Sequence, residues 1–379
     1  MNAAGIYIHI PFCIRKCGYC DFLSAPADEA LQCLYAERVA DEIRQFVQTA
    51  GSPDKMPVVD TVFFGGGTPS ILPLAGLEQI VIALTDSFTI LDGAEVTIEC
   101  NPGTADKEKF DAYRGMGINR LSLGMQSAVD QELESLGRIH TCSDALEAFH
   151  MAREAGFENI NLDLMSAIPG QTMESWQFTL RRAAGMRPEH LSAYSLIVEE
   201  NTPFYERYHD NPPVDEDTDR AMYAVTGNIL GDSGYERYEI SNYAREGFAC
   251  RHNIKYWSGD DYIGFGLGAS SKTGCTRYKN EVDFARYMDQ IRQGKPVRAV
   301  EEVLDTTGEM SEFFILGLRK TGGVSRSEFQ SRFAADVDEI YGDCIQKSVK
   351  EGLLELAGDR IRFTERGLDV SNYVLCRFI

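Results

Sequence analysis

The sequence has little positive charge. It carries 37 lysine and arginine residues against 58 aspartate and glutamate residues, which gives a formal net charge of −21 at pH 7. Nucleic acids and anionic membrane surfaces are held by clustered basic side chains, and the sequence contains no basic run. The charge therefore argues against a nucleic-acid partner and against a peripheral membrane role.

The sequence also lacks a long hydrophobic segment. No apolar run approaches the ~18 residues of a transmembrane helix. The stretch MNAAGIYIHIPFC at the start has neither the basic region nor the uninterrupted apolar region of a signal peptide. These absences predict a cytoplasmic protein with no integral membrane segment.

The sequence has few cysteines that lie close to another cysteine. Disulfides are not expected in a reducing compartment, so isolated cysteines are interpreted as small core residues. Seven of the ten are isolated: Cys33, Cys100, Cys142, Cys250, Cys275, Cys344 and Cys376. The remaining three, Cys13, Cys17 and Cys20, form one cluster in FCIRKCGYCDF.

Short strand-like runs alternate with longer amphipathic stretches in the first 240 residues. The runs cover residues 5–10, 58–66, 94–100, 119–126, 159–165 and 190–197. This alternation predicts an α/β fold in which parallel strands curl into a partial (β/α)6-type, TIM-like barrel. Extended segments at 235–244 and 262–271 predict added strands.

The C-terminal part of the sequence has a different pattern. Helical stretches near 308–320 and 325–351 precede two short strands around Gly358 and Asp359. The pattern predicts a small winged-helix-like α+β domain at 300–379, after a barrel domain at 1–299. Its 10 basic and 15 acidic residues from position 301 onward argue against DNA binding.

Chemically distinctive residues follow the strand-like runs. After the cysteine loop come GGGTPS at 65–70, ECNPG at 99–103, GMQS at 124–127, and Asp163 with IPGQT at 168–172. Because the carboxyl ends of parallel strands share one face of a barrel, we expect these segments to converge on one site.

Three clustered cysteines leave two interpretations open. Zinc needs a fourth ligand, which Asp21 or His9 could supply. A cubane iron–sulfur cluster is the sharper interpretation, because three thiolates can bind three irons and leave the fourth iron for an exchangeable ligand.

Other candidate residues are equally open to a structural interpretation. Glu99 and Asp163 suit ribose hydroxyls or an amine, but each alone could be a helix cap or an ion-pair partner. GGGTP is either a plain turn or a place where the backbone approaches a ligand. Tyr7 and His9 share one face of the first strand and are expected to point into the barrel.

HIPFCIRKCGYCDF, GGGTP and IPGQT together resemble the radical S-adenosylmethionine (SAM) superfamily, in the branch around oxygen-independent coproporphyrinogen III oxidase. The resemblance covers nearly the whole chain. It implies that Cys13, Cys17 and Cys20 bind a 4Fe-4S cluster whose open iron takes the amino and carboxylate groups of SAM. The residues that it assigns to the SAM pocket are Tyr7, Gly66, Gly67, Thr68, Glu99, Gln126, Arg138 and Asp163.

Two departures bear on which branch the chain resembles. The oxidases carry a further cysteine where this sequence has Phe22, and they have an N-terminal extension where only six residues precede Tyr7. The absence of that cysteine and the short segment before the first strand are typical of the heme chaperone branch (HemW-type). HNIKYW at 252–257 is similar to the heme-associated HNxxYW motif of that branch and implies heme contacts from His252, Tyr256 and Trp257.

The resemblance therefore implies a heme chaperone that binds a 4Fe-4S cluster, SAM and heme, and passes heme to an acceptor protein. No catalytic residue is assigned, and an electron donor is expected only if SAM is cleaved. Three alternatives remain: a coproporphyrinogen III oxidase, a radical SAM methyltransferase, and a structural zinc protein.

Overall fold

The computed structural model describes residues 3–51 and 56–379. Within these ranges no helix combines the length and the apolar character needed to cross a bilayer. Six strands pair in parallel, each with the next one along the chain. They are β1 (Ala4–Ile10), β2 (Val59–Gly66), β3 (Ile90–Cys100), β4 (Arg120–Gln126), β5 (Ile160–Ser166) and β6 (His190–Ser195). Each overlaps its predicted run.

Further strands extend this sheet at both edges. Beyond β6 lie β8 (Asn242–Ala244) and then β7 (Glu236–Arg237), and beyond β1 lie β9 (Tyr262–Phe265), β10 (Ser270–Thr273), β11 (Thr276–Asn280) and β12 (Arg298–Val303). Strand β9 is parallel to β1, and the other added strands pair antiparallel. The sheet is open, with β12 and β7 as its outer strands, so the predicted partial barrel with added strands is confirmed.

Helices connect the strands, and most of them pack on the outer face of the sheet. They are α1 (Glu29–Ala50), α2 (Leu74–Ser87), α3 (Lys107–Gly115), α4 (Asp130–Leu136), α5 (Cys142–Glu154), α6 (Met173–Gly185), α7 (Pro203–Tyr208), α8 (Glu216–Asp232), α9 (Arg251–Ser258) and α10 (Phe284–Arg292). Helix α1 begins where the Asp28 carboxylate accepts a hydrogen bond from the amide of Leu31 at 2.8 Å. It ends at Gly51, whose φ of 89° suits a residue without a side chain.

The two faces of the parallel strands have different compositions. In β4, Leu121, Leu123 and Met125 are buried in the core against the helices. The alternate residues Ser122 and Gln126 line a cavity on the concave side. Since side chains alternate along a strand, each strand supplies both the hydrophobic core and the concave wall.

The C-terminal region has its own hydrophobic core. Its helices are α11 (Thr306–Gly317), α12 (Arg326–Phe333), α13 (Val337–Lys350), α14 (Glu365–Asp369) and α15 (Ser371–Leu375), and its sheet has the order β13 (Val324–Ser325), β15 (Arg360–Phe363), β14 (Leu354–Ala357). The small α+β domain is therefore present as predicted.

Two boundaries differ from the prediction. The helical stretch predicted at 325–351 is two helices, because Ala334 has a φ of 52° that ends α12. The predicted domain boundary between residues 299 and 300 falls inside β12, which pairs with β11 of the large sheet. A division after Val303 keeps that strand whole.

Candidate functional site

A cavity of about 350 Å³ opens at the carboxyl ends of the parallel strands. All three clustered cysteines line it, and we call it the cysteine cavity. Seven other predicted residues lie on its wall: Gly66, Gly67, Thr68, Glu99, Gln126, Arg138 and Asp163. Segments that are far apart in the sequence thus meet at one site, as the barrel topology predicts.

Hydrogen-bond donors lie beside two of the three sulfurs. The hydroxyl of Thr68 donates to Cys13 Sγ at 3.4 Å, and Arg138 Nη1 donates to Cys17 Sγ at 3.8 Å. Burial raises the pKa of Cys20 above its usual range, with an opposing contribution from a backbone hydrogen bond. Donors and a cation next to sulfur favour its thiolate form, which is the form that binds metals.

The geometry does not fit a single zinc ion. Among the residues that the structure describes, no three His, Cys, Asp or Glu side chains group closely enough to hold one metal ion. The proposed fourth ligand His9 is engaged elsewhere, since Nδ1 lies 3.1 Å from the Tyr7 hydroxyl and Nε2 lies 3.0 Å from Leu23 O. Separated thiols on one short loop fit a cluster in which each binds a different iron.

The loop that carries GGGTP, which we call the glycine loop, lies directly against Glu99 on the cavity wall. The amide of Gly66 donates to Glu99 Oε2 at 3.1 Å, and the φ of Gly66 is 114°. A Cβ at this position would lie 2.6 Å from the ring of His9. The loop is therefore a close backbone approach, which a larger residue could not make.

Glu99 and Asp163 form an acidic pair on the cavity wall. Glu99 keeps some exposed surface because its carboxyl group faces the cavity, but it lies deep in the protein. That depth, with Asp163 nearby, raises the pKa of Glu99 to about 8. Burial also raises the pKa of Asp163, although Asn161 donates to its carboxylate at 2.7 Å. Neither caps a helix, and both are placed to accept hydrogen bonds from a polar ligand.

We predict that Glu99→Gln stabilises the SAM-free protein at alkaline pH. The folded pKa of about 8 exceeds the usual value of 4.5, so stability falls as pH rises from 4.5 to 8, where only the unfolded chain loses its proton. The gain over the unsubstituted protein should grow across this range to on the order of 1 to 3 kcal/mol. Thermal unfolding from pH 5 to 9 measures it, with Glu147→Gln at an exposed position as the control. A pH-independent difference would contradict the buried pair.

Arg138 and Gln126 have partners that the sequence analysis missed. Arg138 Nη2 donates to Asn101 Oδ1 at 2.6 Å, and Asn101 Nδ2 donates to the Thr68 hydroxyl at 2.7 Å. The hydroxyl of Tyr194 donates to Gln126 Oε1 at 3.2 Å. The position of Asn101 in the ECNPG motif, directly after a strand, indicates a place at the site. Tyr194 lies inside a strand, and nothing in its sequence surroundings distinguishes it from other strand residues.

Tyr7 lies apart from the cysteine cavity. It lines an adjoining inner chamber of about 200 Å³, which shares Glu99, Ser122, Asp163 and Ser192 with the cysteine cavity. Tyr7 therefore points to the concave side of the sheet, as predicted, and lines the same chamber as the acidic pair. Its hydroxyl contacts His9, and its ring stacks on Phe63 at 6.3 Å.

The HNIKYW residues lie on α9, away from the cysteine cavity. His252 is 1% exposed; its Nδ1 lies 2.9 Å from the Thr61 hydroxyl and its Nε2 lies 2.8 Å from the Tyr256 hydroxyl. Burial, followed by the charge of Lys255, lowers the pKa of His252 to about 3. Ligation of heme iron by His252 would therefore require breaking one of these hydrogen bonds.

Tyr256 and Trp257 face a second cavity, the side cavity, of about 630 Å³. It lies between α9, strands β9 to β11 and Leu316 of the C-terminal domain, and Phe22 lines both this cavity and the cysteine cavity. The heme-associated motif thus borders a space of ligand size.

Two family models match the chain: the radical SAM superfamily over residues 7–183 and the HemN C-terminal domain over residues 304–370. Membership of the superfamily implies a 4Fe-4S cluster and SAM. The cysteine cavity fits both groups, because it combines three thiols on one loop with donors to sulfur and a carboxylate pair.

Relatives match over the whole chain. Heme chaperone HemW of Bacillus subtilis is 36% identical over 98% of this chain and 98% of that protein, and heme chaperone HemW of Escherichia coli is 33% identical over 99% and 97%. The solved structure of coproporphyrinogen III oxidase (HemN) from Escherichia coli, a radical SAM enzyme, has a TM-score of 0.87 at 22% identity, over 99% of this chain and 90% of that one. That likeness shows the shared fold. From the cavity, the family models and the full-length relatives, we conclude that the chain belongs to the HemW family of the radical SAM superfamily.

Proposed function

We propose that this protein is a heme chaperone that binds heme and transfers it to an acceptor protein. The observation that carries the proposal is the similarity, along the entire chain, to proteins named heme chaperones. Phe22 supports it. The oxidases resemble one another in having a further cysteine two places after the third, and this chain has Phe22 there. The position of Tyr256 and Trp257 beside the side cavity is consistent with a bound macrocycle.

In this proposal the cysteine cavity holds the cluster and SAM. Together these cofactors supply one-electron cleavage of the sulfonium when an electron donor is present. Cys13, Cys17 and Cys20 bind the cluster, and the glycine loop admits SAM close to the backbone. Glu99 and Asp163 accept hydrogen bonds from SAM, while Arg138, fixed by Asn101, lies beside the sulfur of Cys17.

His252 has the role of a positioning residue in this proposal. It stacks on Phe63 at 5.2 Å and accepts or donates the hydrogen bond that fixes the Tyr256 hydroxyl. We predict that His252→Ala weakens heme binding without changing the axial-ligand signature in the heme spectrum. A changed ligand signature would show that His252 leaves its hydrogen bonds and binds iron. The conservative variant His252→Asn should recover part of the affinity, because an amide can replace one of the two hydrogen bonds.

The proposal is tested by titrating the cluster-reconstituted protein with heme under anaerobic conditions, followed by absorbance. The same sample is then assayed for loss of coproporphyrinogen III in the presence of SAM and a reductant. Saturable heme binding without loss of the porphyrinogen is the expected result. Porphyrinogen turnover without a saturable heme spectrum would overturn the proposal and identify an oxidase.

A further inference from the structure

Gln126 ends β4 in a strained backbone conformation. Its φ is 63°, a left-handed value that a residue with a side chain seldom adopts. The amide of Ser127 donates to the carbonyl of Met125 at 2.8 Å and closes a three-residue turn with Gln126 at its centre. Turns of this size with a positive φ are rare, and their strain persists only where the surroundings enforce it. Contacts from outside the strand must therefore hold this turn.

Ser127 connects the turn to a buried carboxylate on α4. Its hydroxyl donates to Glu132 Oε2 at 2.6 Å, and its oxygen accepts from the amide of Val129 at 2.9 Å. Ser127 is 0% exposed and Glu132 is 4% exposed. The residue that follows Gln126 is thus fixed by the helix that comes next along the chain.

Glu132 also fixes the loop that follows β5. Its Oε2 accepts from Gln171 Nε2 at 2.9 Å, and its Oε1 accepts from Ser175 Oγ at 2.5 Å. Gln171 belongs to IPGQT, and its Nε2 lies 3.3 Å from the carbonyl oxygen of Met165. This loop contains a second residue with a left-handed backbone, Ala167, whose φ is 57°. One carboxylate is therefore tied to both strained positions, at the ends of two neighbouring strands.

A carboxylate suits this place because every neighbour that reaches it is a donor. Ser127, Gln171 and Ser175 come from three separate segments and converge on the two oxygens of Glu132. An ionised carboxylate only accepts hydrogen bonds, and it makes shorter and stronger ones than a neutral acceptor. Burying it without such partners would be costly, so the carboxylate and the three donors depend on one another.

The turn determines where the Gln126 side chain points. Gln126 lines the cysteine cavity, where its Oε1 accepts from the Tyr194 hydroxyl at 3.2 Å. This bond leaves the amide NH₂ of Gln126 to donate to a ligand. Because side-chain direction along a strand follows the backbone, a relaxed backbone at Gln126 would turn the amide away from its present position.

We propose that Glu132 is a positioning residue, which holds the turn at Gln126 through Ser127 and Gln171 and so places the Gln126 amide to donate to SAM. The inference rests on the proposed binding of SAM in the cysteine cavity. It adds a residue that does not line that cavity, and it gives IPGQT the role of linking the loop after β5 to the turn after β4.

The test is a double-mutant cycle on SAM affinity. Glu132→Ala, Gln126→Ala and the double variant are reconstituted anaerobically, and the Kd is measured by equilibrium dialysis of radiolabelled SAM without a reductant, so that SAM stays intact. Each single substitution should raise the Kd about 10-fold, the loss expected when one hydrogen bond to the ligand is no longer made. The double variant should bind SAM as Gln126→Ala does, because Glu132 acts only through Gln126.

Glu132→Gln is the conservative variant and should recover most of the affinity. Its amide oxygen can accept from Ser127 and Gln171, while its NH₂ group can donate to Ser175 Oγ. Ser127→Ala breaks the same link from its other end, so the cycle is repeated with it and covers the case in which Glu132→Ala does not fold. It should weaken SAM binding as Glu132→Ala does.

Glu134→Ala is the matched control, because it removes the same charge from an exposed position of α4. It should leave the Kd for SAM unchanged. Iron and sulfide content and thermal unfolding of every variant show whether the fold and the cluster are intact.

The outcomes separate this inference from the proposed function. If the unsubstituted protein binds no SAM, or if Gln126→Ala binds it as tightly as the unsubstituted protein, the placement of SAM beside Gln126 fails. If Gln126→Ala weakens binding and the Glu132→Ala and Ser127→Ala variants do not, or if the losses multiply in the double variant, the positioning role is overturned while the SAM site stands. The heme titration that tests the chaperone proposal is independent of these results.

Discussion

Cys17→Ala is expected to abolish the 4Fe-4S cluster of the reconstituted protein. Cys17 is the middle member of a three-thiol loop, and Arg138 donates a hydrogen bond to its sulfur. With only Cys13 and Cys20 left, two irons would lack a protein ligand instead of one, and the cluster would be lost. Iron content, acid-labile sulfide and visible absorbance after anaerobic reconstitution measure the effect.

Cys33→Ala is the matched control for this prediction. Cys33 is a half-buried, free cysteine on α1 that lines neither the cysteine cavity nor the side cavity. Its removal should leave iron and sulfide at the level of the unsubstituted protein. Full iron and sulfide content in Cys17→Ala would contradict the assignment of the cluster to this loop, and zinc in place of iron would revive the structural zinc interpretation.

Gly67→Ala is expected to destabilise the protein and to reduce cluster occupancy. A Cβ at this position would lie 2.5 Å from the carbonyl oxygen of Phe12 and 3.0 Å from its backbone nitrogen. Moving Phe12 would cost packing energy, because the residue is 2% exposed and its ring packs edge to face on Tyr35 with centroids 5.1 Å apart. The displaced backbone is adjacent to Cys13, so the cysteine loop would move with it.

The expected loss is about 1 to 3 kcal/mol, the usual cost of an added group in a packed site. Gly115→Ala supplies the contrast, since no atom lies within 4 Å of the place that a Cβ would occupy there, at the end of α3. Gly115→Ala should raise the free energy of unfolding by up to about 1 kcal/mol, because alanine has a higher helix propensity than glycine. Thermal unfolding and iron content of both variants measure the difference, and equal effects would refute the close approach.

The parallel sheet and the cysteine cavity could be predicted because their signals are local. Each strand is a short apolar run, and each cavity segment follows a strand directly. The thiol spacing of Cys13, Cys17 and Cys20 is likewise visible within eight positions. Once the strands are parallel, topology alone brings these segments together.

The surroundings of α9 could not be predicted in the same way. The hydrogen bonds of His252 and Lys255 reach Thr61 and the carbonyl of Ala3, which are far away in the sequence. Lys272 looks like a solvent-facing residue in a short strand, yet it is buried where β9, β10 and the C-terminal domain meet. Long-range packing of this kind leaves no local pattern, so the side cavity was missed.

The parallel strands have an apolar face and a face that lines the cavity, and this division has a consequence for how proteins of this fold diverge. Leu121, Leu123 and Met125 hold the sheet to its helices, while Ser122 and Gln126 face the ligand space. A change at one of the second group alters the cavity wall but removes nothing from the hydrophobic core. Descendants of one ancestor can therefore acquire new cargo or new chemistry residue by residue while inheriting an unchanged framework. A shared fold at 22% identity between this chain and an oxidase is the outcome to expect from such a division.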